Sequence, residues 1–340
     1  HFNQNPCNSI LSLYLSAFHF FVVTLHLNYP TSILTFPNLR LFMSLSFCTQ
    51  YPTGKYHLLA ILTVGVWGTT FISTKVLIEN GLSPHEIFFL RFLIAYLGIW
   101  SISPHKLLAN SWKDELLFLA TGLTGGTLYF LTENTALSLT QTTNVAFIIC
   151  MTPLLTTALS LLTDRKEKAS KQLMAGSVIA LLGVALLIFN GSFVLKLSPL
   201  GDFLTLCAGL SWAIYSLIIR KLSGRYPAVF ITRKVFFYGI LTGLPTFLVH
   251  PFQFPLSGFA NPVIWANLLF LAVLASLICF VAWNIVLKQL GAIQSSNYLY
   301  LNPLFTTIAA SLILEEQLTV FAVAGVGLVL GGVYFAARKS

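Results

Sequence analysis

Residues 130–162 read FLTENTALSLTQTTNVAFIICMTPLLTTALSLL, and residues 280–312 read FVAWNIVLKQLGAIQSSNYLYLNPLFTTIAASL. Laid over one another at an offset of 150, they pair Phe130 with Phe280, Asn134 with Asn284, Pro153 with Pro303, Leu154 with Leu304, and Thr156-Thr157 with Thr306-Thr307. Leucine coincidences carry little weight in so apolar a chain. The asparagine and the Pro-Leu-x-Thr-Thr run at one shared offset carry much more. Nearby offsets extend the match in both directions: Trp67 onto Trp212 and Lys75 onto Arg220, then Ala175, Gly176, Gly183 and Val184 onto Ala324, Gly325, Gly332 and Val333.

Each copy is made of apolar runs long enough to cross a bilayer, for which about 20 residues are needed. Ten such segments follow one another: 57–78, 86–103, 115–137, 142–163, 172–190, 201–221, 229–249, 263–287, 292–314 and 318–337. The chain is 56% hydrophobic and 9% charged, with a mean hydropathy of +0.82. A water-soluble protein of 340 residues has too little polar surface to cover that much apolar side chain. The fold class expected is therefore an all-α integral membrane protein.

The net charge of +9 raises nucleic acid as a partner, but the bases sit in short linkers between apolar runs, so membrane orientation accounts for them. Lys55, Lys106, Lys113, Arg165, Lys166, Lys168, Lys171, Arg220, Lys221, Arg225, Lys288, Arg338 and Lys339 fall on one side; the other has Lys196 in a loop, with Lys75 and Arg91 just inside spans. That bias expects both termini in the cytoplasm and a multi-pass protein of the cytoplasmic membrane. Five spans per copy is an odd number, so the second copy enters from the opposite side. The expectation is two inverted five-helix repeats, residues 55–195 and 196–340, an arrangement typical of secondary transporters. Residues 1–54 read as a poorly structured or mis-extended N-terminus. The apolar run 10–27 stands there as an extra span or signal sequence, and Met43 as a natural start.

The chain resembles EamA-type transporters of the drug/metabolite transporter superfamily. The resemblance rests on Val66-Trp67-Gly68, on Ser211-Trp212-Ala213, on Glu133-Asn134-Thr135-Ala136-Leu137 through Met151-Thr152-Pro153-Leu154, and on Gly291-Ala292 through Asn302-Pro303-Leu304. It covers about residues 55–339. It implies a ten-helix bundle around a central cavity, moving a small metabolite or drug by alternating access, with export the common direction.

Ionisable groups deep in a membrane are costly, so each is a candidate. Glu133 is the acid placed furthest inside a span, and Arg91 and Lys75 lie at similar depth near the same end. Two readings stand: an Arg91–Glu133 ion pair that pins two helices, or direct binding of substrate or a coupling proton. Trp283 stands opposite Glu133 in the repeat, which makes the acid asymmetric. Asn134 and Asn284 either bridge helices or line the cavity. Trp67, Trp212 and Tyr215 are the aromatic candidates for its wall, and Pro153 and Pro303 the candidate hinges. Arg233, Lys234 and Lys288 are expected to snorkel. Gly122-x-x-x-Gly126 and Gly327-x-x-x-Gly331 permit close helix contact, within the chain or across a homodimer.

No HExxH, GxSxG or GxxxxGK[ST] motif occurs, and the cysteines show no metal spacing. The expectation is a permease with no cofactor or metal, a small-molecule substrate and the lipid bilayer as partners, existing as a monomer or homodimer. Proton coupling through Glu133 is one option for its energy source. A lipid or lipid-linked flippase and an intramembrane enzyme are the competing classes.

Overall fold

The computed structural model describes residues 54–102, 108–140, 142–163, 170–189, 198–314 and 320–337; the expected N-terminal extension and its 10–27 run lie outside them. The described residues are helical throughout, joined by short turns. Seven helical runs among them, three of them spanning a break or a change of helix type, are long and apolar enough to cross a membrane: Gly54–Glu79, Pro84–Ile102, Asn144–Thr163, Lys171–Ile188, Pro199–Ser223, Ala228–Val249 and Pro262–Leu290. A shorter apolar stretch runs over Val323–Ala336.

Helix α1 (Gly54–Glu79) ends in a turn at Gly81, whose φ of +96° suits a residue without a side chain. Helix α2 (Pro84–Ile102) then begins with proline, whose missing N–H is not needed there, and with Glu86 reaching back to the residue before the helix. Glu86 Oε2 accepts from the backbone N–H of Ser83 at 2.8 Å and from its hydroxyl at 2.6 Å. The third apolar segment is α3 (Trp112–Gly122), a π-helical stretch Leu123–Leu128 and α4 (Tyr129–Leu139). The π turns surround Gly125, where an added Cβ would sit 2.2 Å from the Tyr215 ring.

The fourth segment is not one continuous helix. Helix α5 (Thr142–Ile149) gives way to a turn at Cys150–Met151 before α6 (Thr152–Thr163) starts, with Pro153 in its first turn. Helices α7 (Lys171–Phe189), α8 (Pro199–Ser223), α9 (Ala228–Gly243) and α10 (Thr246–Val249) follow. Next come α11 (Pro262–Leu269), a π-helical stretch Phe270–Ile278 and α12 (Cys279–Leu290), which closes at Gly291 with φ +82°. Helix α13 (Ala292–Ser296) and a 3-10 stretch Asn297–Leu301 lead into α14 (Asn302–Leu314), and α15 (Val320–Ala337) ends the described chain. Pro303, like Pro153, occupies the first turn of a new helix. Both prolines mark helix starts in the fold, where the sequence placed them inside continuous spans.

The two halves are interleaved. Helix α1 packs against α12 and α14, while α8, from the other half, packs against α4, α5 and α6. Likewise α2 lies on the stretch Phe270–Ile278, and α9 lies on α3 and Leu123–Leu128. Helices α7 and α15 meet backbone to backbone: a Cβ on Gly176 would come within 2.6 Å of Gly332 O, and one on Gly183 within 2.8 Å of Gly325 O. Gly122 and Gly126 make similar close contacts with Gly239 of α9. Gly327 and Gly331 face open space.

Two acid–base pairs tie α3 to the second half. Arg225 is paired with Asp114, and Lys234 with Glu115. The Tyr226 hydroxyl also donates to Asp114 at 2.8 Å, and that of Tyr238 to Glu115 at 2.6 Å. Lys234 therefore does not snorkel. It is buried on a carboxylate that sequence reasoning treated only as the start of a span. Arg233 is buried as well, with its guanidinium 5.2 Å from the Phe230 ring centre. Across the helix ends, Glu86 Oε1 accepts from the backbone N–H groups of Gln253 and Phe254 at 2.6 and 2.9 Å, a second tie between halves.

Candidate functional site

The helix break at Cys150–Met151 and the change of helix at Leu301–Asn302 border the same cavity. Ile149 and Thr152 flank the first, and Leu299 and Asn302 the second. The remaining wall comes from α1 (Trp67, Thr70, Phe71), α2 (Arg91), α4 (Tyr129, Phe130, Glu133), α8 (Trp212) and α12 (Phe280). Both halves of the chain contribute. The cavity is narrow, about 40 Å³.

The wall is mainly aromatic. Trp67 and Trp212 meet edge to face at 5.2 Å, Trp283 packs behind Trp67 at 5.1 Å, and Tyr129 lies 4.9 Å from Trp212. Trp67 Nε1 donates to the carbonyl of Ala275 at 2.9 Å, a group in the stretch Phe270–Ile278. Trp212 Nε1, also buried, has no hydrogen-bond partner among the described residues, and neither has Asn302 Oδ1. Both residues belong to the cavity wall, and each carries a buried polar group left unpaired, which is costly.

Arg91 and Glu133 supply opposite charges. Arg91 is 2% exposed and Glu133 6%. They do not form the ion pair that one reading of the sequence expected. The Arg91 Nε–H donates to Ser276 Oγ at 3.0 Å, and its guanidinium carbon lies 4.2 Å from the centre of the Phe130 ring. Glu133 Oε1 instead accepts from the Tyr129 hydroxyl, one helical turn away, at 2.6 Å.

The other candidates lie elsewhere. Lys75 is off the cavity, its Nζ 3.4 Å from the carbonyl of Leu137. Asn134 donates to the carbonyl of Pro84 at 3.2 Å, joining α4 to the start of α2. Asn284 accepts from the Tyr215 hydroxyl and donates to Thr232, each at 2.9 Å, so it links α8, α9 and α12. Tyr215 is consumed by that link and is absent from the cavity wall. Of the three aromatic candidates, Trp67 and Trp212 do line it. Sequence reasoning missed Tyr129, Phe130, Phe280, Thr152, Asn302 and Ser276. Tyr129 was findable from its spacing to Glu133, and Asn302 from its place beside a helix-starting proline. Ser276 carried no signal.

The EamA-like transporter family model matches residues 54–189 and again 199–338. This chain belongs to that family. It is a membrane permease, and the family indicates a transporter rather than an enzyme. An uncharacterized transporter of Archaeoglobus fulgidus is 31% identical over 295 residues, covering 84% of this chain and 98% of the relative. A probable amino-acid metabolite efflux pump of Escherichia coli K12 is 27% identical over 294 residues, covering 82% and 94%. A solved crystal structure shares the fold with a TM-score of 0.64 at 18% identity, covering 83% of this chain and 97% of that one.

Proposed function

We propose that this permease exports a small zwitterion, an amino acid with an apolar side chain, across the cytoplasmic membrane by alternating access. The observation that carries the reading is the pairing of Arg91 and Glu133, both buried and unpaired with each other, in one aromatic-walled cavity built by both halves of the chain. A carboxylate answers Arg91, an ammonium answers Glu133, and an apolar side chain answers the tryptophans. The name of the Escherichia coli relative points to the same class and to export.

The architecture behind it is ten spans in two inverted repeats, 55–195 and 196–340, with both termini in the cytoplasm. The 150-residue sequence offset, the paired helix breaks before Pro153 and Pro303, and the reciprocal packing of α1 and α8 support it. Glu133 is also the acid through which a proton gradient would act.

The test is L-leucine counterflow in everted vesicles, with and without a proton gradient. Wild-type protein accumulates leucine. Arg91→Gln and Glu133→Gln abolish accumulation while leaving folded protein in the membrane. Unchanged transport in both variants refutes the assignment of the cavity. If only the gradient dependence is lost in Glu133→Gln, the acid serves coupling rather than ammonium binding.

A further inference from the structure

We propose that Ser276 is a positioning residue that fixes Arg91 as a two-pronged carboxylate clamp, an inference that rests on the amino-acid reading above. A guanidinium carries five N–H donors in one plane. In Arg91 the Nε–H is taken by Ser276 Oγ at 3.0 Å, and one face is covered by the Phe130 ring at 4.2 Å. Among the described residues the two terminal nitrogens make no hydrogen bond. The bond at Nε sets the rotation of the plane, and the ring sets its tilt. What remains is the Nη1/Nη2 edge, whose fork matches the two oxygens of a carboxylate.

Most hydroxyls of the described helices turn back on their own helix, and a few, those of Thr127, Thr306 and Ser276 among them, bond across to the other half. Thr63, Thr121, Thr124 and Ser216 each turn back to a carbonyl three or four residues earlier in their own helix. Ser276, fully buried, instead receives a donor from α2, across the junction of the two halves. It lies in the π-helical stretch Phe270–Ile278, beside Ala275, whose carbonyl holds the Trp67 indole. The wider turn of a π-helix leaves carbonyls and side chains off the usual α-helical ladder. Two consecutive residues of the second half thereby orient a cation and an aromatic ring contributed by the first. A carrier that lost this anchor would keep its charge and lose the aim of the fork, which weakens binding without slowing the conformational cycle.

The experiment compares wild type, Ser276→Ala, Arg91→Lys and the double variant in proteoliposomes. L-leucine is the transported probe, and L-leucinamide, which lacks the carboxylate, is the competing inhibitor. Ser276→Ala is expected to raise the leucine KM about tenfold, the effect of one lost hydrogen bond to a charged group. It leaves kcat and the half-inhibitory concentration of leucinamide within about twofold, and adds nothing in the Arg91→Lys background, where the fork is already gone. An equal loss for leucine and leucinamide, a fall in kcat, or an undiminished effect on top of Arg91→Lys assigns Ser276 to helix packing and overturns the proposal. If Arg91→Lys weakens leucine transport and Ser276→Ala does not, the positioning role alone fails. If wild type does not carry leucine, or Arg91→Lys leaves the leucine KM unchanged, the amino-acid reading fails and takes the clamp with it.

Discussion

Replacing Lys234 by methionine tests what the buried acid–base pair does for the bundle. Both partners are nearly enclosed, with side-chain exposures of 5% for Lys234 and 9% for Glu115. Methionine keeps the length and apolar stem of lysine and removes the charge. Glu115 is then left with the Tyr238 hydroxyl and the N–H of Ala109 as donors, and with no countercharge. Breaking a buried pair by deleting one partner destabilises by about 3–5 kcal/mol. The lower end applies here, about 3 kcal/mol, because the two remaining donors still serve the carboxylate and the pair sits at a helix end. Replacing both partners, Lys234→Met with Glu115→Gln, removes the uncompensated charge and recovers most of the loss, to within about 1 kcal/mol of wild type. The assay is reversible unfolding of purified protein in mixed detergent micelles, followed by tryptophan fluorescence. The reasoning is refuted if the single variant unfolds at the wild-type midpoint, or if the double variant is as unstable as the single one.

Five further variants test the local structure. Gly332→Leu should abolish monodisperse protein on size exclusion, because its Cβ meets Ala180 N at 2.5 Å and Gly176 O at 2.7 Å; those are backbone atoms that cannot yield. Gly331→Leu, one residue away, faces open space and should express like wild type, unless that face carries a dimer, which cross-linking would reveal. Asn284→Ala should destabilise by about 2 kcal/mol in the same unfolding assay, since it strands the buried Tyr215 hydroxyl. Asn134→Ala should shift the midpoint less, because its Oδ1 already lacks a partner. Gly291→Ala should cost about 1–3 kcal/mol in that assay through backbone strain alone, as φ is +82° and nothing lies within 4 Å of the added methyl.

The all-helical membrane fold class and the approximate extent of the apolar segments were legible from residue type and spacing. Apolar runs of bilayer length admit only helices, because every backbone polar group must be met within its own segment. Gly81, Pro84, Pro199 and Gly291 punctuate those helices for local reasons that any neighbour sees. The repeat, visible in the paired Asn and Pro-Leu-x-Thr-Thr runs, drew attention to both helix breaks. It did not say that Pro153 and Pro303 start new helices, nor that two stretches, Leu123–Leu128 and Phe270–Ile278, wind as π turns. Hydropathy is the same for α, π and broken helices, so those distinctions carry no compositional mark.

Contacts between distant elements were decided by tertiary structure alone. Lys234 meets Glu115 across 119 residues of chain, and Arg91 meets Ser276 across 185. Whether a buried polar group faces a cavity or a neighbouring helix depends on how the helices turn against one another, set by close glycine contacts and ring packing. That is why Asn284 and Tyr215 hold helices together while Asn302 and Trp212, no more polar in sequence, border the cavity with groups unmet.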